Sequence, residues 1–177
     1  MVEYCRYLHQ LPTNGHYFMT FFTADFCDDH HAKVNVLAAG YKNYGGVAQC
    51  QGEIVTVKLD KHNGDLIQLL RDVDGTGKVV VVDVAREYYA VVGEKLMNFA
   101  QQNHYAGMVI NGYVRDTQQI ENIPVALFAL DTCPRKYMSP LPGAVNVLVS
   151  FGGVDFVPGH YLYADVDGVI VTAAPLA

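Results

Sequence analysis

Apolar residues fall along this chain in three rhythms, and each predicts a different element. "GEIVTVKL" (Gly52–Leu59) alternates apolar and polar positions, the period of a strand with one buried face. "GKVVVVDVA" (Gly77–Ala85) is a continuous β-branched run opened by glycine, the pattern of a strand buried on both faces. The leucines of "NGDLIQLLRD" (Asn63–Asp72) recur at helical spacing, and Val92, Leu96, Phe99 and Ala100 fall on one face of a helix from about Gly93 to Asn103. "GMVI" (Gly107–Ile110) is the next strand. The order strand, helix, strand from Val79 through Ile110 predicts a βαβ crossover, whose ligands favour the carboxyl ends of the strands.

After that unit the chain is β-rich. Strands are predicted at Ile123–Leu130 and Val145–Phe151, and in "HYLYADVDGVIVT" (His160–Thr172) with a hairpin turn at Asp167-Gly168. Asn111-Gly112 carries turn chemistry and predicts a turn directly after "GMVI". At "TADFCDDHH" (Thr23–His31) either Thr23 or Asp25 is suited to cap a short helix. Residues 1–22 are aromatic and irregular, with a turn at "LPTNG" (Leu11–Gly15), and are expected to form an extension packed on a single domain of residues 23–177.

Composition narrows the function classes. At 177 residues the chain suffices for one domain with a sizeable core. Hydrophobic residues make up 51% and charged residues 17%, which predicts that some apolar surface goes into subunit contacts. A net charge of −6 with no basic run argues against direct nucleic-acid binding and suits basic protein partners. No apolar run is long enough to span a bilayer, and "MVEYCRYLHQ" lacks the form of a signal peptide. Four cysteines without CxxC spacing fit a reduced, cytoplasmic protein, and the seven scattered histidines define no metal site.

Two short stretches carry candidate chemistry. "AGMVINGYVRDTQQ" (Ala106–Gln119) delivers Arg115 and Asp116 side by side just past a strand end. A guanidinium grips a carboxylate through two parallel hydrogen bonds, and a neighbouring carboxylate can hold a hard divalent cation. "GEKL" (Gly93, Glu94, Lys95 and Leu96) opens the crossover helix, where unpaired amides bind anions and glycine lets a ligand approach. Either alone also reads as ordinary surface chemistry; both fall on one crossover unit.

The ordered set "VVVVD…GEKL…GMVINGYVRD", "TCPRK" (Thr132–Lys136), "FGGV" (Phe151–Val154) and "PGHYLYADVDGVIV" (Pro158–Val171) resembles the RraA family. That family is named for a regulator of ribonuclease activity and also contains 4-hydroxy-4-methyl-2-oxoglutarate aldolases. "TADFCD", "NYGG" (Asn43–Gly46) and "NGDLIQLL" extend the resemblance over roughly Thr23 to Ala177. It implies an α/β, three-layer β/β/α swivelling-type domain assembled as a homotrimer or a dimer of trimers. It also implies that Gly93, Glu94, Lys95 and Leu96 contact an oxo-acid substrate, that Arg115 binds it as a catalytic residue, and that Asp116 holds Mg²⁺ or Mn²⁺.

The chain departs from the family in three places. Val84, Ala85, Arg86 and Glu87 stand where a glycine-rich stretch is usual, Gln119 where the aldolases carry an acid, and "YMSPLPGA" (Tyr137–Ala144) where a Gly/Glu-rich segment follows "PRK". Gln119 cannot serve as a carboxylate base. These departures place first a regulator that inhibits an RNase E-type endoribonuclease or associates with an RNA helicase, with a retained oxo-acid and metal pocket. The alternative is a divalent-metal-dependent 4-hydroxy-4-methyl-2-oxoglutarate aldolase or oxaloacetate decarboxylase. An older label in the family, a methyltransferase using S-adenosylmethionine, finds no glycine-rich cofactor loop after the first strand.

Overall fold

The computed structural model describes residues 21–137 and 142–176. In chain order its elements are α1 (Thr23–Asp29), β1 (Asn35–Val36), β2 (Lys42–Asn43), β3 (Cys50–Lys58), α2 (Gly64–Asp72), β4 (Lys78–Asp83), β5 (Ala90–Val92) and α3 (Glu94–Gln102). There follow β6 (Gly107–Val114), α4 (Thr117–Ile120), β7 (Ala126–Thr132), β8 (Ala144–Val145), β9 (Val149–Phe151), β10 (Val154–Phe156), β11 (Tyr161–Ala164) and β12 (Val169–Thr172). The expected extension, apart from Phe21 and Phe22, lies outside the described residues, as does part of "YMSPLPGA".

A ten-stranded sheet runs β1-β12-β11-β3-β4-β6-β7-β2, with β5 beside β6 and β8 beside β3. The β3, β4, β6 and β7 pairings are parallel. Val79 to Val82 of β4 are all 0% exposed, as the continuous apolar run requires. Val80 and Val82 pack with Leu66, Leu70, Leu96 and Met97 of α2 and α3, while Val79 and Val81 pack with Phe156, Val149 and Leu162 on the other face. The layers are therefore helices, large sheet, and the β9–β10 hairpin, the expected three-layer β/β/α architecture. Each fully buried valine contributes about 1.5–3 kcal/mol.

Several local expectations need correction. Asn111-Gly112 is no turn: β6 continues through it from Gly107 to Val114, and the two residues instead mark a register shift against β7 between Ile110 and Tyr113. Asn111 sits opposite Asp83 in parallel register, is 4% exposed, and donates from Nδ2 to Asp83 Oδ1 at 2.8 Å. Gly112 serves close packing, since a Cβ there would strike Val84 Cγ2. Thr23 does not cap α1 either. Its amide and hydroxyl donate to the two oxygens of Asp165, each at 2.7 Å, so a carboxylate from the β11–β12 turn closes the helix start. The strand expected at Val145–Phe151 breaks at Asn146, whose φ of 56° splits it into β8 on β3 and β9 on β10. The hairpin at Asp167-Gly168 forms as expected, with β11 and β12 antiparallel.

Candidate functional site

Asp83 ends β4, and the chain turns over Val84–Glu87 before β5 rejoins the same edge of β6. β5 pairs in parallel with Tyr113 and Val114, and Arg115 N–H donates to Val92 O at 3.0 Å. That register sets Gly93, the N-cap of α3, beside Arg115 at the end of β6. The two stretches singled out in the sequence thus meet at one point.

Their contact is direct. Asp116 takes the left-handed conformation (φ 59°, ψ 35°), which short polar side chains tolerate best after glycine. Its Oδ2 then accepts Glu94 N–H at 3.2 Å and lies 3.6 Å from Arg115 Nε. The carboxylate also caps the positive end of α3. A Cβ on Gly93 would collide with Asp116 Oδ2 and lie 3.2 and 3.3 Å from Arg115 Cγ and Nε, so this cradle requires glycine for space. The backbone there is extended (φ −142°) and imposes no such requirement.

The arrangement is open to a ligand, with the Arg115 and Asp116 side chains 35% and 40% exposed. Lys95 N–H has no acceptor among the described residues, whereas Leu96 N–H and Met97 N–H turn back to Gly93 O at 3.1 and 3.2 Å. The Leu96 side chain is buried in the core, and Lys95 Nζ lies 5.7 Å from the Phe99 ring centroid. Glu94 is the exposed acidic side chain of this first turn. Gln119, exposed on α4, meets the site through its backbone amide, which donates to Asp116 O at 3.0 Å.

Among the described residues no three His, Cys, Asp or Glu side chains form a group that could hold an ion. Zinc needs such a set. Mg²⁺ and Mn²⁺ keep most of their waters and take one or two carboxylates plus substrate oxygens, and Asp116, with Oδ1 uncommitted among the described residues, fits that donor chemistry.

A second polar cluster was not legible in the sequence. Tyr41 hydroxyl donates to Asn111 Oδ1 at 3.0 Å, Asn111 donates to Asp83, and Ala85 N–H donates to the same Asp83 oxygen at 2.9 Å. Burial pushes the Tyr41 phenol up to about 12, with Arg86 opposing the rise and Asp83 adding to it. Ala85 and Arg86 are both left-handed (φ 51° and 60°), at a cost of roughly 1–2 kcal/mol each. The signal that could have revealed this cluster is an asparagine at strand spacing directly after an apolar run.

A three-layer domain whose glycine-led helix start faces an Arg-Asp pair at a strand end is the class defined by this fold and site. The chain belongs to the RraA-like family: the family model, Aldolase/RraA, matches residues 23–171. A relative from Dechloromonas aromatica, 40% identical over 89% of this chain and 99% of its own length, is named as a proposed 4-hydroxy-4-methyl-2-oxoglutarate aldolase. Among solved structures, the RNA-processing inhibitor RraA from Thermus thermophilis superposes with a TM-score of 0.85 at 31% identity, covering 90% of this chain and 96% of that one. A Geobacillus kaustophilus protein named as an S-adenosylmethionine:2-dimethylmenaquinone methyltransferase gives 0.85 at 36% identity, covering 88% and 97%. No helix among the described residues is long and apolar enough to cross a membrane.

Proposed function

We propose that the chain is a divalent-metal-dependent lyase for 2-oxo acids, of the 4-hydroxy-4-methyl-2-oxoglutarate aldolase and oxaloacetate decarboxylase type. The observation that carries this reading is the contact of Asp116 Oδ2 with both Glu94 N–H (3.2 Å) and Arg115 Nε (3.6 Å), which joins the two candidate stretches into one site. The name of the 40%-identical relative supports the same chemistry.

Both reactions break the C3–C4 bond of a 2-oxo acid and leave the electron pair on C3 as the enolate of pyruvate. Arg115 holds the substrate carboxylate, fixing which bond faces the site. The N–H of Lys95 and the positive end of α3 stabilise negative charge as it develops. Asp116 holds Mg²⁺ or Mn²⁺, which when bound polarises the 2-oxo group. In aldol cleavage the Glu94 carboxylate takes the proton of the C4 hydroxyl as C3–C4 breaks, C4 becomes the carbonyl of one pyruvate, and the proton returns to C3 of the enolate. In decarboxylation CO2 leaves and C3 takes its proton from solvent, and Gln119 cannot act as the base. Pyruvate release from 4-hydroxy-4-methyl-2-oxoglutarate, with and without a chelator, tests the reading; release that chelation leaves untouched would refute it.

A second reading, the regulator of an RNase E-type endoribonuclease, is supported by the name of the 31%-identical Thermus protein and by the net charge of −6. It acts through surface, so Arg115→Ala and Asp116→Ala should leave inhibition of RNA cleavage intact while abolishing turnover. In either reading the protein works as a homotrimer or dimer of trimers. Light scattering that gave only the 19.5 kDa monomer at micromolar concentration would refute that assembly. Cys27, Cys50 and Cys133 are free thiols, which suits the cytoplasm.

A further inference from the structure

We propose that the cleft beside the Val84–Glu87 turn binds a small planar carboxylate, with Arg86 gripping the carboxylate and the rings of Tyr41, Tyr113 and Phe151 enclosing the body. The cleft measures about 310 Å³ and is lined by these four residues together with Asn111, Asp131 and the small residues at 38–40 and 152. That volume is at the lower end for ligand pockets and suits a molecule of one ring. Gly93, Arg115 and Asp116 do not line it, so the inference stands apart from the lyase reading.

Charge sets the sign of the ligand. Arg86 makes no ion pair with a carboxylate among the described residues. Asp131, the lining carboxylate, already has Lys42 Nζ at 3.8 Å and the Tyr44 hydroxyl at 3.3 Å. The unpaired cation is therefore Arg86, and a guanidinium matches a carboxylate through two parallel hydrogen bonds. The aromatic walls select a flat partner: the Tyr41 and Phe151 rings are 5.9 Å apart at 36°, and Tyr113 is held edge-on by Tyr88 at 4.9 Å.

The backbone is built to hold Arg86 there. Two successive non-glycine residues in the left-handed region are rarely found, and such outliers persist where surrounding contacts over-determine them. Here Ala85 N–H donates to the buried Asp83 carboxylate at 2.9 Å, Arg86 N–H to Asn111 O at 3.2 Å, and Glu87 N–H to Val84 O at 3.0 Å. Asn111 in turn is fixed by Tyr41 and Asp83. These contacts hold the left-handed Ala85-Arg86 backbone in place and so anchor the base of the Arg86 side chain at the edge of the cleft.

Calorimetric titration of the full chain with benzoate tests the proposal. Wild type should bind saturably, with benzamide and inorganic phosphate at least about tenfold weaker, since neither offers both a carboxylate and a flat ring. Arg86→Gln should weaken benzoate by about tenfold or more, and Arg86→Lys by less, because it keeps the charge but not the fork. Arg115→Ala should leave the benzoate Kd unchanged. Thermal midpoints of the Arg86 variants within a few degrees of wild type establish that they fold. No saturable benzoate binding, binding that survives Arg86→Gln, or binding lost in Arg115→Ala instead would each overturn the assignment, as would a fall in stability in Arg86→Gln without any ligand effect.

Discussion

Gly93→Ala should impair function far more than it lowers stability. The added methyl meets no backbone obstacle, because Gly93 is already extended at φ −142°, ψ −173°. Its obstacle is the Asp116 carboxylate, with Arg115 Cγ and Nε at 3.2 and 3.3 Å just behind. Carbon and oxygen need close to 3.5 Å, so the carboxylate must retreat by roughly 1 Å. The stability lost is the hydrogen bond from Glu94 N–H, about 1 kcal/mol for a partly exposed acceptor, and alanine at an N-cap costs about 0.5–1 kcal/mol more relative to glycine. A displacement of that size at a catalytic group costs on the order of 100-fold in turnover. Urea denaturation should thus register a small change, while Mn²⁺ calorimetry and pyruvate release should register a large one. A variant that binds Mn²⁺ and turns over like wild type would refute the reasoning, because Asp116 would then not need the position that Gly93 allows.

Asp116→Asn keeps an acceptor for Glu94 N–H but loses the charge, so thermal stability should hold while the Mn²⁺ isotherm disappears; indistinguishable isotherms would sink the metal assignment. Asp165→Ala strands two buried donors of Thr23 and one amide of Asp167, and should cost about 2–4 kcal/mol by chemical denaturation. Burial pushes the Cys50 thiol up to about 12 from 9.0. The unfolded chain therefore loses this proton first: stability is level below about pH 9 and falls as pH rises towards 12, by about 1.4 kcal/mol per unit for this group. Cys50→Ala should flatten that slope between pH 9 and 10, and an unchanged slope would contradict it.

The parts of the fold legible in the sequence are those in which one face, or both, settled the matter locally. Val79–Val82 could only be a strand buried twice, and Leu66, Leu69 and Leu70 could only face a core from one helix. Arg115-Asp116 lies just past the end of β6 as expected, although the strand runs on to Val114 rather than stopping at Ile110. Asn111-Gly112 misled because the side chain that usually makes a turn is here a ladder partner for Asp83, a contact 28 residues away that no local pattern encodes. Thr23 misled for the same reason at greater range, through Asp165. At the site, the separate signals of "GEKL" and Arg115-Asp116 were readable, whereas their contact follows from the β5–β6 register, which depends on how the Val84–Glu87 turn breaks β4 from β5. We take that contact as support for the proposed lyase, whereas the Gln119 and Val84–Glu87 departures favoured the regulator in the sequence.

Whether this chain is a lyase is decided by pyruvate release from oxaloacetate by the wild-type protein with added Mn²⁺, measured against Arg115→Ala and against chelated protein. Turnover should run well above the rate of Mn²⁺ alone, be lost on chelation and fall on the order of 100-fold or more in Arg115→Ala. A wild-type rate equal to that of Mn²⁺ alone, or one that Arg115→Ala leaves unchanged, would contradict it.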